Sequence, residues 1–160
     1  MKSILLCISI LFASCSSQKN NVDATNSSLI TDQEKIIAKN LIQGAFDDLW
    51  AGMDSTKILD YHTEDFIILE NGEVWDNDRI KKFMRERLAE ENRPKRINKM
   101  DYISIEKYGP SIQIAYNNKA EFYQQDTIAF LGSWLESAVA IETPEGWRLR
   151  MMHSTWNRKN

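Results

Sequence analysis

Cysteine is nearly absent from this chain. Its 160 residues contain two, Cys7 and Cys15, and both lie at the N-terminal end. No thiol occurs from residue 16 onward. The rest of the chain therefore has no cysteine nucleophile, no cysteine-ligated metal site and no intramolecular disulfide, so its fold depends on its hydrophobic core alone.

Histidine and the common catalytic motifs are scarce as well. His62 and His153 are the two histidines, and they are far from the spacing of a zinc-binding HxH or HExxH motif. No G-x-S-x-G turn and no glycine-rich phosphate loop is present. The formal net charge of −3 gives no support to nucleic-acid binding, which requires a basic surface. We therefore expect no metal, no other cofactor and no nucleic-acid partner.

The N-terminal apolar run is short. It covers about nine positions at residues 4–12, whereas a membrane-spanning helix needs ~20. The run follows the positive charge of Lys2 and precedes the small residues Ala13 and Ser14, and then Cys15. This order is typical of a secretory signal. Because it ends at a cysteine, it resembles a bacterial lipoprotein signal; an ordinary secretory signal cleaved elsewhere is the alternative.

The lipoprotein resemblance implies three parts. Residues 1–14 form a signal peptide that is removed, and Cys15 carries a lipid that anchors the protein in the bilayer. Residues 15–28 are polar and predict a flexible tether with a typical reach of roughly 20 Å. Residues 29–160 form a single domain. The expected location is the bacterial cell envelope, on its periplasmic or surface side.

The domain begins with two predicted helices. Thr31 and Glu34 match a capping box, and apolar residues at i, i+4 spacing extend the first helix to about Gly52. Asp54 then caps a second, short helix.

A hairpin, a third helix and four long strands follow. Asn71-Gly72 between two apolar runs predicts the hairpin, and Asn77 or Asp78 is predicted to cap the third helix, which ends before Pro94. Turns between the later strands are predicted at Gly109-Pro110, at Asn117-Asn118 and at residues 143–146. Helices followed by strands are typical of an α+β fold in which an antiparallel sheet curls around the helices.

Two stretches carry a family resemblance. Residues 61–66 (YHTEDF) lead into the first strand before Asn71-Gly72, and residues 146–154 (GWRLRMMHS) form much of the last strand. With the order of elements over residues 30–157, they resemble the SnoaL-like branch of the nuclear transport factor 2-like superfamily. The resemblance implies a cone-shaped, curved antiparallel sheet packed on three N-terminal helices, or cystatin-like roll. It also implies a pocket between sheet and helices, and often a dimer formed by the sheets.

Alternation in the last strand places a histidine in the expected pocket. Leu149, Met151 and His153 share one face with Trp147, and the arginines between them take the other face. Met151 and His153 are therefore predicted to line the cone. There His153 could act as a general base or as a polar contact for a ligand. The alternative is a buried histidine satisfied by its neighbours.

Further pocket candidates come from the helices and the first strands. Asp65, at the entrance to the first strand, could act as a base at the pocket rim, or could cap a helix end or pair with a lysine. Tyr61 and His153 complete the candidate catalytic set. Trp50, Tyr61, Trp75 and Tyr116 could form aromatic walls of the pocket, or could belong to the core.

Trp134 and Glu136 are predicted to face outward. Leu135 and Val139 belong to the more apolar face of their strand, which puts Trp134 and Glu136 on the outer face, in a possible dimer contact. With the opposite facing, these two residues would line the pocket.

Three functions remain open. The expected one is a membrane-tethered envelope lipoprotein that binds a small apolar or amphipathic ligand in its cone. The resemblance also allows an enzyme of the ketosteroid isomerase, dehydratase or polyketide cyclase kind. The third is an interaction module that uses the outer face of the sheet. Fold alone does not select among them.

Overall fold

The computed structural model describes residues 29–157. The predicted signal peptide, the lipidated Cys15 and the tether lie outside the described residues. The helices are α1 (Asp32–Ala45), continued by a π-helical segment (Phe46–Ala51), then a 3₁₀ turn (Ser55–Lys57) with α2 (Ile58–Tyr61), and α3 (Asn77–Leu88). The strands are β1 (His62–Glu70), β2 (Glu73–Asp76), β3 (Lys95–Tyr108), β4 (Ser111–Gln124), β5 (Thr127–Thr143) and β6 (Gly146–Trp156).

The first helix begins at the predicted capping box. The Glu34 amide donates to Thr31 Oγ1 (3.2 Å), and the Thr31 amide donates to Glu34 Oε2 (2.9 Å). One face of α1 is buried through apolar residues at helical spacing, namely Ala38, Leu41, Ile42 and Ala45. Helical geometry continues through the π-helical segment to Ala51, as predicted.

The hairpin turn also forms where it was predicted. Asn71 and Gly72 have φ angles of 50° and 87°, a left-handed conformation that asparagine and glycine tolerate best. The cap of α3 lies one residue earlier than predicted, because the Asp76 side chain accepts the Arg79 amide (2.8 Å). Asn77 is buried instead, and its amide group donates to two carbonyls of β1.

One six-stranded sheet forms the second layer. Its order is β2-β1-β6-β5-β4-β3, with β1 parallel to β6 and all other neighbours antiparallel. Aromatic, aliphatic and alanine side chains of the inner face pack against α1 and the π-helical segment in a single core. The predicted α+β arrangement of three helices and a curved antiparallel sheet is confirmed. No helix in residues 29–157 combines the length and apolarity needed to cross a membrane.

The turn predicted at Asn117-Asn118 is wrong. Both residues lie within β4, and the chain turns at Gln125-Asp126, where both φ angles are positive. Asn118 tolerates full burial because its side chain is hydrogen-bonded on both sides. Asn98 Nδ2 donates to Asn118 Oδ1 (2.7 Å), and Asn118 Nδ2 donates to Glu136 Oε2 (3.3 Å).

A β-bulge at Arg150 reverses the predicted facing of the end of β6. Leu149 pairs with Ala140 and Met151 pairs with Val139, so that Arg150 is the additional residue. Beyond the bulge the inward positions are Met152 and Ser154. The prediction that Met151 and His153 face into the cone is therefore wrong, because Met151 lies on the outer face and His153 is exposed there.

Candidate ligand-binding site

A cavity of about 480 Å³ opens between the helical layer and the inner face of the sheet. Its walls carry six aromatic side chains, namely Phe46, Trp50, Trp75, Phe83, Trp134 and Trp156. Its charged groups are Glu70, Glu73, Arg79, Arg96 and Glu136. A mostly apolar concavity of this size with a few polar groups is typical of small-molecule sites.

Glu136 supplies the most deeply buried charge in this cavity. Its side chain is 5% exposed and accepts hydrogen bonds from Ser154 Oγ (3.1 Å) and from Asn118 Nδ2 (3.3 Å). Burial raises its pKa to about 7, although these hydrogen bonds and the charge of Arg96 oppose the rise. The fully buried Tyr116 hydroxyl lies beside this carboxyl without a well-aligned hydrogen bond in the described residues. Glu136 can therefore exchange a proton near neutral pH.

The predicted outward facing of Trp134 and Glu136 is wrong. Both line the cavity, whereas their neighbour Leu135 is 51% exposed on the outer face. The inner face of β5 continues with the buried alanines Ala138 and Ala140. Small residues fill this crowded part of the core, so the more apolar face of the strand is not the buried one.

A second carboxyl group lies at the β1 end of the cavity. Burial raises the pKa of Glu70, and Ser154 and Arg96 oppose this rise. Its Oε1 accepts from Asn71 Nδ2 (2.6 Å) at the hairpin turn. Glu73, in contrast, is engaged at the rim, where its Oε2 accepts the Trp75 indole N–H (2.7 Å).

Two arginines of the cavity lie over aromatic rings. The Arg96 guanidinium is 5.0 Å from the ring centroid of Trp134, 5.5 Å from that of Phe122 and 5.6 Å from that of Phe46. Burial lowers its pKa to about 10, so it stays charged at neutral pH. The Arg79 guanidinium lies 4.3 Å from the Trp75 ring centroid. Cation–π contacts of this kind hold a cation without using its N–H groups.

The predicted catalytic residues do not lie on the cavity walls. Tyr61 donates a hydrogen bond to Asp48 Oδ2 (2.5 Å) outside the cavity. Burial and this hydrogen bond to the carboxylate raise the pKa of Tyr61 to about 12. Asp65 is exposed and forms an ion pair with Arg150 (2.9 Å), since it stands on the outer edge of β1. With His153 on the outer face, the structure does not bring the three together.

Among the predicted aromatic walls, Trp50 and Trp75 line the cavity, and Tyr116 is fully buried beneath it. The other histidine, His62, stacks on Phe66 (3.7 Å between ring centroids), and its Nδ1 bonds to Asn77 Oδ1 (3.0 Å). Burial lowers the His62 pKa to about 4, so it is neutral at pH 7.

Sequence reasoning missed Glu70, Arg79 and Arg96. A signal for Arg96 was available, because Arg96, Asn98 and Met100 alternate along β3 on the face that turns inward. No comparable pattern marked Arg79, which lies on a helix rich in exposed charges. In residues 29–157 no three His, Cys, Asp or Glu side chains are grouped to hold a metal ion.

Solved structures share this architecture. A protein of unknown function with a cystatin-like fold from Nostoc punctiforme is 10% identical (TM-score 0.66; 82% of this chain and 97% of that chain covered). Aln2 from Streptomyces is 8% identical (TM-score 0.69; 81% and 94%). A nuclear transport factor 2-like superfamily protein from Salmonella enterica is 16% identical (TM-score 0.61; 79% and 92%). No family model and no curated protein sequence matches the chain.

At identities of 8–16% the likeness shows the fold alone. The topology and the structural neighbours agree with what the sequence resemblance implied, and the chain has the nuclear transport factor 2-like, or cystatin-like, fold.

Proposed function

We propose that this protein is an envelope lipoprotein whose domain binds a small amphipathic molecule in the cavity between sheet and helices. The observation that carries the proposal is the lining of the cavity. Aromatic walls supply apolar contact area, and buried carboxyl and guanidinium groups supply a few fixed polar contacts.

The buried charges favour a binding site over a packed core. Removing an ionised group from water costs several kcal/mol unless partners compensate it. Glu136 and Arg96 attract one another, but they form no ion pair within 4.0 Å among the described residues. Apolar side chains at these positions would stabilise the fold better, so their presence favours a role toward a ligand.

The proposed location rests on the N-terminal sequence. A lipid on Cys15 and a tether of about thirteen residues with a reach of roughly 20 Å would hold the domain close to the bilayer. A ligand at that surface would be met outside the cytoplasm. This part of the proposal is independent of the cavity and needs its own test.

Ligand binding can be tested with two neighbouring residues of β2. The full chain, purified from envelopes in mild detergent, is examined by native mass spectrometry for a co-purified small molecule. Trp75→Ala removes a cavity wall, whereas Val74→Ala changes the exposed neighbour on the other side of the strand. We expect a bound mass on the wild type and on Val74→Ala, and its loss from Trp75→Ala. An empty wild-type protein, even after incubation with envelope extract, would contradict the proposal.

Glu136 favours an acid–base enzyme as the second candidate. A carboxyl with a pKa of about 7 inside an apolar site suits proton abstraction from a bound substrate and proton return to the product. Glu136→Gln keeps the shape of the side chain but cannot transfer a proton. If the protein is an enzyme, this variant should retain the ligand and lose its conversion, measured by mass spectrometry of extracts incubated with each protein. Equal conversion by both proteins would exclude this role of Glu136.

A further inference from the structure

We propose that the ligand of this cavity is an organic anion, a flat apolar body with a carboxylate group that Arg96 and Arg79 hold. This inference rests on the proposed binding function and names the chemical class of the ligand.

Arg96 offers N–H donors that the described residues leave unused. Its Nε is buried without a hydrogen-bond partner, and the guanidinium takes part in none of the ion pairs within residues 29–157. The guanidinium carbon lies over the rings of Phe46, Phe122 and Trp134. Contacts to aromatic rings do not use the N–H donors of the group, so these donors remain available to an acceptor.

Arg79 repeats this arrangement in the same cavity. Its guanidinium carbon lies over the Trp75 ring, and its Nη1 is buried without a hydrogen-bond partner. Partly buried arginines elsewhere in the described residues are hydrogen-bonded, namely Arg87, Arg93, Arg148 and Arg150. Among the partly buried arginines named here, the two with an unused buried donor are therefore the two that line the cavity, and an unpaired buried donor is costly.

These contacts favour an anion over a cation. Aromatic walls can bind a cationic ligand, but here the protein's own guanidinium groups already lie over Trp75 and Trp134. A second cation would be repelled by them. A carboxylate, in contrast, matches the planar donor pair of an arginine. Burial raises the pKa of both Glu70 and Glu136, which reduces their repulsion of an incoming anion.

The shape of the walls favours a flat ligand body. The Trp134 and Trp156 rings meet edge to face, with centroids 4.7 Å apart at 88°. The Trp75 and Phe83 rings, also in the cavity wall, are tilted at 47° with their centroids 5.3 Å apart. A planar body between these rings makes wide contact while its carboxylate reaches the guanidinium edges.

Three probes of one size separate charge from shape. They are 2-naphthoate, 2-naphthylmethanol and 2-naphthylmethylammonium, titrated at pH 7 by calorimetry into the full chain in a nonionic detergent, with the heat of titration into detergent alone subtracted. We expect naphthoate to bind at least about tenfold more tightly than the alcohol, as charge-assisted hydrogen bonds provide. The ammonium probe should bind more weakly than the alcohol.

Variants then assign the effect to the two arginines. Arg96→Met and Arg79→Met should each weaken naphthoate binding about tenfold or more and leave the affinity for the alcohol within about threefold. Arg85→Met, an exposed change on the same helix as Arg79, is the control and should leave all affinities unchanged. If Arg96→Met fails to fold by circular dichroism, Arg96→Lys and Arg79→Met carry the test.

The outcomes separate this inference from the proposed function. Binding of the alcohol or the ammonium probe at least as tightly as naphthoate would overturn the anion and leave the binding cavity in place. Naphthoate binding that survives Arg96→Met and Arg79→Met unchanged would overturn the roles of these residues. Binding of none of the probes would contradict a cavity for flat apolar molecules, and the anion inference with it.

Discussion

Replacing Glu136 by Gln is expected to stabilise the domain strongly at pH 8 and only weakly at pH 5. The reason is the burial of the carboxyl, which raises its pKa from the ordinary 4.5 to about 7. A group whose pKa is higher in the folded than in the unfolded state contributes fully to the stability of the fold when the pH is below its unfolded pKa. That contribution is lost as the pH rises through the folded pKa, because the unfolded chain releases its proton first.

The magnitude follows from the size of the pKa change. At about 1.4 kcal/mol for each pH unit, ionisation of Glu136 costs the folded state about 3 kcal/mol at pH 8 and less than about 1 kcal/mol at pH 5. Gln cannot ionise, and its amide oxygen can still accept from Ser154 or Asn118. For a domain of this size we expect a Tm gain of about 10 °C at pH 8.

The assay is urea and thermal unfolding of wild type and variant at pH 5, 6, 7 and 8. His62 also titrates across part of this range, but it is common to both proteins, so their difference isolates Glu136. Glu142→Gln, an exposed change on the same strand, is the matched control and should show no pH-dependent gain. A gain for Glu136→Gln that is equal at pH 5 and pH 8, or a loss at pH 8, would refute the reasoning.

Three further predictions concern other parts of the chain. His62 is kept neutral by burial, with its pKa lowered to about 4, so the stability that this residue contributes should fall as the pH drops below the unfolded value of 6.5, opposite in sign to the effect of Glu136. At pH 5 this loss amounts to about 2 kcal/mol, and His62→Gln should remove it. The change in the free energy of unfolding between pH 5 and pH 7 is measured by urea unfolding for both proteins; an equal change in wild type and variant would count against this role of His62. If the outer face of the sheet forms a homodimer, Leu135→Glu should yield monomers in light scattering, whereas the inward Trp134→Glu should leave the dimer and weaken ligand binding. The reverse pattern would place the interface elsewhere. Cys15→Ser should abolish incorporation of a labelled fatty acid, and Cys7→Ser should not; labelling of Cys15→Ser at the wild-type level would exclude a lipid anchor on Cys15.

Local signals predicted the elements of the fold well. The capping box at Thr31 and the Asn71-Gly72 turn are set by short-range hydrogen bonds and by φ preferences, both of which depend on neighbouring residues only. Asn117-Asn118 was misassigned because the partners that satisfy Asn118, on β3 and β5, come from distant parts of the chain. A polar pair inside a strand cannot be told from a turn without those partners.

The facing of the site residues depended on features that alternation does not record. The bulge at Arg150 adds one residue to β6. It therefore turns His153 outward and Ser154 inward, the reverse of the facing that strict alternation predicts. On β5 the buried residues are small, since Ala138 and Ala140 lie in the crowded core, and apolar size was therefore a poor guide to the inner face. The cavity with Glu136 and Arg96 could not be assembled from sequence for these reasons.

The bulge also divides β6 into two stretches. Leu149 before it lies in the core; after it, Met152 also lies in the core, and Ser154 and Trp156 line the cavity. Arg150 itself is bound across to Asp65, on the surface of the neighbouring strand. Since Leu149 and Met151 already oppose consecutive residues of β5, loss of Arg150 by deletion would leave every other side chain on its present face. Within this bulge the strand can therefore lose one residue without exchanging the inward and outward positions that follow it.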